Sequence, residues 1–185
     1  MRSLLTICWT WVSLACASHA AHPGASSPIG HSHSTAPSGS NAPSVDQDAA
    51  LTAIRGVHGG AGPWVVAGYR MGAFALSRLG LPRGSFDLEV VHRSPREVQF
   101  SCIADGAAAA TGASLGRLNL SLEPTTPAET RTTYRNKQTG ASVTLEVTPT
   151  FAQRYVDVPR TQLSAAGIEV LQLRDEEIFR ESQPH

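Results

Sequence analysis

From residue 45 onwards the apolar positions fall into runs whose period changes along the chain, and the period predicts the element. Ala49, Ala50, Leu51, Ile54 and Val57 recur on one face of a helix. Asp46 and Asp48 fall in its first turn, where the helix dipole favours negative charge, and Ser44 is placed to cap it. The loop His58-Gly-Gly-Ala-Gly62 stops this helix, and Pro63, suited to a first helical position, opens a long apolar one reaching Leu79. Small residues in it, Ala67, Gly68, Gly72, Ala73 and Ala75, admit a close neighbour, and Gly80 followed by Pro82 ends it. The period then drops to two. Phe86 to His92 and Glu97 to Cys102 predict strands joined by the turn Arg93-Ser-Pro-Arg96. A small-residue helix from Ile103 to Ala110 follows, stopped by Thr111-Gly112, and Arg117 to Leu122 predicts another strand. Arg131 to Arg135 and Ala141 to Val147 pair as a hairpin through Asn136-Lys-Gln-Thr-Gly140. Beyond it, Val158 to Gly167 predicts a short helix, Ile168 to Leu173 a strand, and Arg174 to Glu181 a charged helix. The fold class is α+β, with a mixed or antiparallel sheet packed against helices.

The chain before residue 45 has a different character. Residues 1–20 carry one positive charge, a short apolar run and a small-x-small ending at Ser18-His-Ala20, the build of a secretory signal peptide cleaved after Ala20 and too short to span a bilayer as an anchor. An alternative is a lipoprotein modified at Cys16, although Ser13 stands where a lipobox normally has leucine. Either way an exported protein is expected, periplasmic or extracellular. Residues 21–44 are Ser, Pro, Gly, Ala and His with almost no large apolar side chain, so they predict a disordered tether. His22, His31 and His33 in it either bind a transition metal weakly or serve as polar linker residues. One domain, residues 45–185, remains.

Charge and cysteine content narrow the partners. Fifteen Lys and Arg balance fifteen Asp and Glu, so no global field draws the chain to nucleic acid or an acidic membrane, and no membrane span is expected. With Cys8 and Cys16 in the signal, Cys102 is the single thiol of the mature chain and no intrachain disulfide forms there. On a helix, Cys102 and Asp105 share a face. The turn that follows carries Thr111, Gly112, Ser114, Gly116, Arg117 and Asn119. Exposed N–H groups, a hydroxyl and a guanidinium suit a carboxylate or phosphate; alternatively the turn is a tight helix-to-strand connection in which Thr111 and Asn119 satisfy loop backbone. Arg70, on an apolar helix, lines a groove, finds a partner, or reaches along the helix to solvent. Trp64, Tyr69 and Phe74 read as core.

The run Cys102 to Leu120 fits, without a gap, the pattern C-x-x-D-x-x-x-x-x-T-G-x-[ST]-x-G-[KR]-x-N-L, and His58-Gly-Gly-Ala-Gly-Pro63 with Gly68-Tyr-Arg-Met-Gly72 fits part of H-G-H-x-C-P-G and the segment after it. In these motifs, over about residues 55 to 150, the chain resembles the FmdE family, which takes its name from formylmethanofuran dehydrogenase. That resemblance implies a core like the fold shared with the catalytic domain of glyceraldehyde-3-phosphate dehydrogenase, a groove between the His loop and the Cys helix, and a possible homodimer. It implies His58 and Cys102 as ligands of zinc or another divalent transition metal, with Asp105 as a third ligand or supporting partner. The sequence departs from the family at Gly60, Gly62 and Ala113, where relatives often carry His, Cys and Cys, and no cysteine follows Cys102, so the family's C-terminal zinc ribbon is absent. The expected function is an exported binding module that holds a metal or a small anionic ligand in a groove made by the His58 loop, the 102–119 run and Arg70, without required catalysis. Two alternatives stand beside it. Cys102 is a buried small hydrophobe in a metal-free pocket, or the protein is a metal- or cysteine-dependent enzyme, with Cys102 activated by His58 or His92, or an accessory component of a redox complex like formylmethanofuran dehydrogenase.

Overall fold

A computed structural model describes residues 46–182. The expected signal peptide, the expected tether with its histidines, and Cys16 lie outside the described residues. Asp46 caps α1 (Gln47–His58), its side chain accepting the Ala49 N–H at 3.2 Å. Asp46, expected in the first turn, thus takes the capping role assigned above to Ser44, which lies outside the described residues. Gly59, in the left-handed region at φ 83°, ends α1, and Pro63 opens α2 (Pro63–Leu79) soon after. Both helices follow the apolar pattern and its Gly and Pro boundaries.

β1 (Leu88–Ser94) runs into α3 (Val98–Thr111), which returns to β2 (Leu120–Pro124) parallel to β1. Here the structure corrects the strand expected at Glu97 to Cys102: those residues cap and begin α3. The alternation Val98, Phe100, Cys102 is too short to set a period. The stripe Ile103, Gly106, Ala107, Ala110 continues through it at helical spacing and is buried against α2. Cys102 therefore sits within a helix rather than at a strand end. Leu115–Arg117 forms a 3-10 turn, so β2 starts later than expected.

β3 (Arg131–Asn136) and β4 (Ser142–Val147) make the expected hairpin, and β3 pairs antiparallel with β1. Thr148 then caps α4 (Pro149–Tyr155), a helix not anticipated although Thr-Pro is a start signal. α5 (Leu163–Gln172) takes in most of the segment expected to be a strand at 168–173. Gly167, Val170 and Leu171 are buried at i, i+3 and i+4, a helical spacing. Of the charged helix expected at 174–181 only α6 (Asp175–Ile178) forms, because Phe179–Glu181 becomes β5 on β4. The sheet is mixed, in the order β2-β1-β3-β4-β5, and the chain is α+β. No helix among the described residues is long and apolar enough to cross a membrane.

One face of the sheet carries Leu88, Val90, Tyr134, Val143 and Leu145, all buried beneath α2 and α3. The other carries cross-strand pairs, Arg135–Glu89 and Arg180–Glu146 at 2.8 Å and Arg93–Glu123 at 2.7 Å, with Thr133 and Thr144 hydroxyls 3.0 Å apart. Polar outside and apolar inside is the alternation a one-sided sheet requires. The helices touch backbone to backbone: a Cβ at Gly106 would lie 2.0 Å from the Val65 carbonyl oxygen, and one at Gly68 2.2 Å from that of Ile103. This crossing fixes α3 against the start of α2, and with it the position of Cys102 relative to the loop after α1.

Candidate functional site

His58 is the last residue of α1, and the left-handed Gly59 closes the helix with an N–H bond of 2.9 Å to Arg55 O. The imidazole meets α3. Its Nδ1 lies 2.8 Å from Asp105 Oδ2 and its Nε2 lies 3.3 Å from Cys102 Sγ. Cys102 and Asp105, three apart on α3, present one face as the spacing required. The result is a line: carboxylate, imidazole, sulfur. Because a carboxylate accepts, Nδ1 carries the proton, and Nε2 turns its lone pair toward the sulfur. Burial and then the Asp105 charge push the Cys102 thiol up to about 11, so it holds its proton at neutral pH until something replaces that proton.

The pair opens on a groove of about 670 Å³, within the usual range for small-molecule sites. One wall is the loop Gly59–Gly62 and the start of α2; the other comes from Tyr155 to Ser164. Trp64 supplies apolar lining, its ring edge-on to Phe100 and Phe151 and its indole N–H bound to Tyr155 O at 2.9 Å. Asp157 is held in the left-handed region at φ 57°, a conformation Asp tolerates better than most residues. Arg55, Gln99, Asp157 and Arg160 line the groove and were not singled out from the sequence. Arg55 and Gln99 stand three residues before His58 and Cys102 on their helices, a spacing that could have marked them; Asp157 and Arg160 carry no such signal, since they reach the groove only through the folding of α4 and α5.

The structure places the remaining candidates elsewhere. Arg70 donates to Leu171 O and Leu173 O at 3.0 Å and pairs with Asp175 at 2.6 Å, fastening the end of α5 to α2. The turn 111–119 sits at the far end of α3, roughly 13 Å along the helix from Cys102, and the hydrogen bonds its side chains make go to backbone. Thr111 Oγ1 donates to Ala107 O at 2.7 Å and accepts Ala113 N–H at 3.1 Å. Gly112, at φ 74°, ends α3, and Ser114 Oγ accepts the Arg117 N–H. Arg117 donates to Gly112 O and Gly84 O and lies 4.0 Å over the Phe86 ring. Asn119 Oδ1 accepts the Ser114 N–H, and its Nδ2 donates to Leu88 O at 3.1 Å. Gly116 has open space around it. None of these residues reaches the groove beside His58.

His92 is also apart. It is fully buried on the inner face of β1, with Nε2 3.1 Å from Phe100 O and Nδ1 2.9 Å from Thr132 Oγ1. The carbonyl can only accept, so Nε2 carries the proton and Nδ1 takes the Thr132 hydroxyl. Burial lowers this imidazole to about 4. A depressed histidine binds its proton more readily unfolded than folded. Its contribution is therefore complete above pH 6.5 and is lost as pH falls toward 4, by about 3 kcal/mol. Denaturant titrations should show the natural protein losing about that much more stability across this window than His92→Asn; equal slopes would show that the neutral state is not linked to folding.

Among the described residues no three His, Cys, Asp or Glu side chains converge as a metal cage. His58 and Cys102 are two donors, and Asp105 stands behind the imidazole. Zinc bonds of about 2.3 Å to sulfur and 2.0 Å to nitrogen put two ligands of a tetrahedron roughly 3.5 Å apart, close to the 3.3 Å between Cys102 Sγ and His58 Nε2. The pair fits one edge of such a site.

Of the known protein families, the one described as FmdE, Molybdenum formylmethanofuran dehydrogenase operon, has a model that matches residues 57–180. No curated protein matches the chain.

Proposed function

The chain belongs to the FmdE family, and on that premise we propose that its domain is a metal-binding module with His58 Nε2 and Cys102 Sγ as its two protein ligands. The observation that carries this reading is the line Asp105–His58–Cys102, at 2.8 and 3.3 Å. An imidazole whose outer nitrogen is held by a carboxylate is the arrangement that orients a metal-binding histidine and strengthens it as a ligand. Zinc or a similar ion would supply Lewis acidity and hold a donor atom from a bound molecule. The residues do the rest. Asp105 fixes the tautomer, the α1 end and the α2–α3 crossing fix the His58-to-Cys102 distance, and the groove leaves positions open to a ligand entering from solvent. The sequence of residues 1–20 supports export, so the site would work outside the cytoplasm.

The same line also has the order nucleophile, base, orienting acid, which favours a second reading in which Cys102 reacts directly. The rate of alkylation separates the two. A nucleophilic Cys102 alkylates rapidly at neutral pH; a ligand alkylates slowly and is protected further by zinc. Zinc titration with metal analysis should give one ion per chain, lost in Cys102→Ala and weakened about 10- to 100-fold in Asp105→Asn. Equal zinc content in all three proteins would refute the assignment.

A further inference from the structure

The groove beside His58 carries cations that no described residue neutralises. Arg55, in the last turn of α1, and Arg160, in the turn before α5, both line it. Neither makes a side-chain hydrogen bond or ion pair with any described residue, whereas Arg70, Arg78, Arg93 and Arg135 are each held by a carboxylate. Asp157 is the one acidic residue of the lining among the described residues, and it lies out of ion-pair reach of both. The two guanidiniums come from different elements, about a hundred residues apart in sequence, and the fold brings them to one cavity. Apart from these charges and the Cys102 pair the lining is uncharged, with Val98 and Leu163 among its apolar members and Gln99 and Ser164 as polar groups. The positive end of α2 opens into the same space, Gly62 offering no side-chain cap. A groove whose lining combines apolar side chains, a thiol, an imidazole and two guanidiniums suits a small amphipathic anion.

We infer that the groove binds a small organic acid, a carboxylate or phosphate ester, whose acid group is recognised by Arg55 and Arg160 and whose body lies against the apolar lining around Val98 and Leu163. Guanidinium forks match the paired oxygens of either acid. That the other end of the molecule meets a metal rests on the proposed function; the arginine end does not.

The test is calorimetric titration of the full chain, stripped of metal, with malonate and with inorganic phosphate. At least one probe should bind with a Kd of about 1 mM or tighter, and more weakly as salt rises. Arg55→Gln and Arg160→Gln, each checked for an unchanged melting temperature, should each lower affinity roughly tenfold or more. Arg78→Gln, outside the groove, should leave it unchanged. A preference for malonate assigns the carboxylate, and a preference for phosphate assigns the ester. Failure of both probes to bind at about 10 mM, or binding untouched by either groove arginine, overturns the inference. Zinc titration of the same preparation shows separately whether the metal site stands. Zinc bound without either anion removes the acid-binding groove alone, and both anions bound without zinc removes the metal reading alone.

Discussion

Gly106→Ala is expected to destabilise the domain by at least about 4 kcal/mol, a large share of the roughly 5–15 kcal/mol that holds such domains folded. The added Cβ would lie 2.0 Å from Val65 O, 2.6 Å from Tyr69 N and 2.9 Å from Gly68 C. All three are backbone atoms of α2, so no side chain can swing aside. The helices must separate along a crossing where Gly68 meets Ile103 just as closely, and every buried residue between them loses contact. Overpacking against movable side chains costs about 1–3 kcal/mol; a collision with backbone on both sides exceeds that. Thermal unfolding should show a midpoint lower by more than about 10 °C. Gly56→Ala is the control: it lies within α1 with nothing within 4 Å of the new Cβ, so it should stabilise by about 0.5–1 kcal/mol through helix propensity. Equal effects of the two changes would mean that the crossing does not hold the fold. Because the crossing also sets the Cys102 position, partly folded Gly106→Ala should lose zinc in proportion to its unfolding.

Gly62→Cys is expected to tighten zinc binding about 10- to 100-fold. The residue lines the same groove as His58 and Cys102. Its φ of −80° accepts any side chain, and an added Cβ would meet only Leu163 side-chain atoms at 3.6 and 3.8 Å, ordinary contact. The position where the motif resemblance implies a cysteine is thus still shaped to carry one. A third ligand that adds no more than a charge-assisted hydrogen bond, about 1.5–3 kcal/mol, produces the stated change in affinity. Competition against a chromophoric chelator measures it. An unchanged affinity, with the fold intact, would mean that residue 62 does not face the ion and that the ion is not where His58 and Cys102 meet.

How far these features are legible in sequence depends on where their partners lie. α1, α2 and the β3–β4 hairpin are readable because each combines a sustained period with a Gly or Pro boundary. Residues 97–102 and 168–173 mislead because alternating apolar residues over so short a run satisfy two periods. Burial decides between them, through Ile103 and Gly106 in one case and Gly167 and Val170 in the other. The Cys102–Asp105 pair is readable from its spacing and His58 from the motif resemblance. The role of the turn 111–119 is not: whether Arg117 binds a ligand or the carbonyl of Gly84 depends on a loop 33 residues away. Arg70 likewise finds its partners 101 to 105 positions further on. The groove's second wall was invisible for the same reason, since Asp157 and Arg160 acquire meaning only when α4 and α5 fold back beside Trp64.

The absorption spectrum of the cobalt(II)-loaded protein tests the proposed metal site most directly, because a cobalt–thiolate bond has its own charge-transfer band. A metal held by Cys102 Sγ and His58 Nε2, the atoms 3.3 Å apart in the structure, predicts that band at one equivalent of cobalt and its loss in Cys102→Ser. Cobalt bound with the same spectrum in both proteins, or with no thiolate band in either, would contradict it.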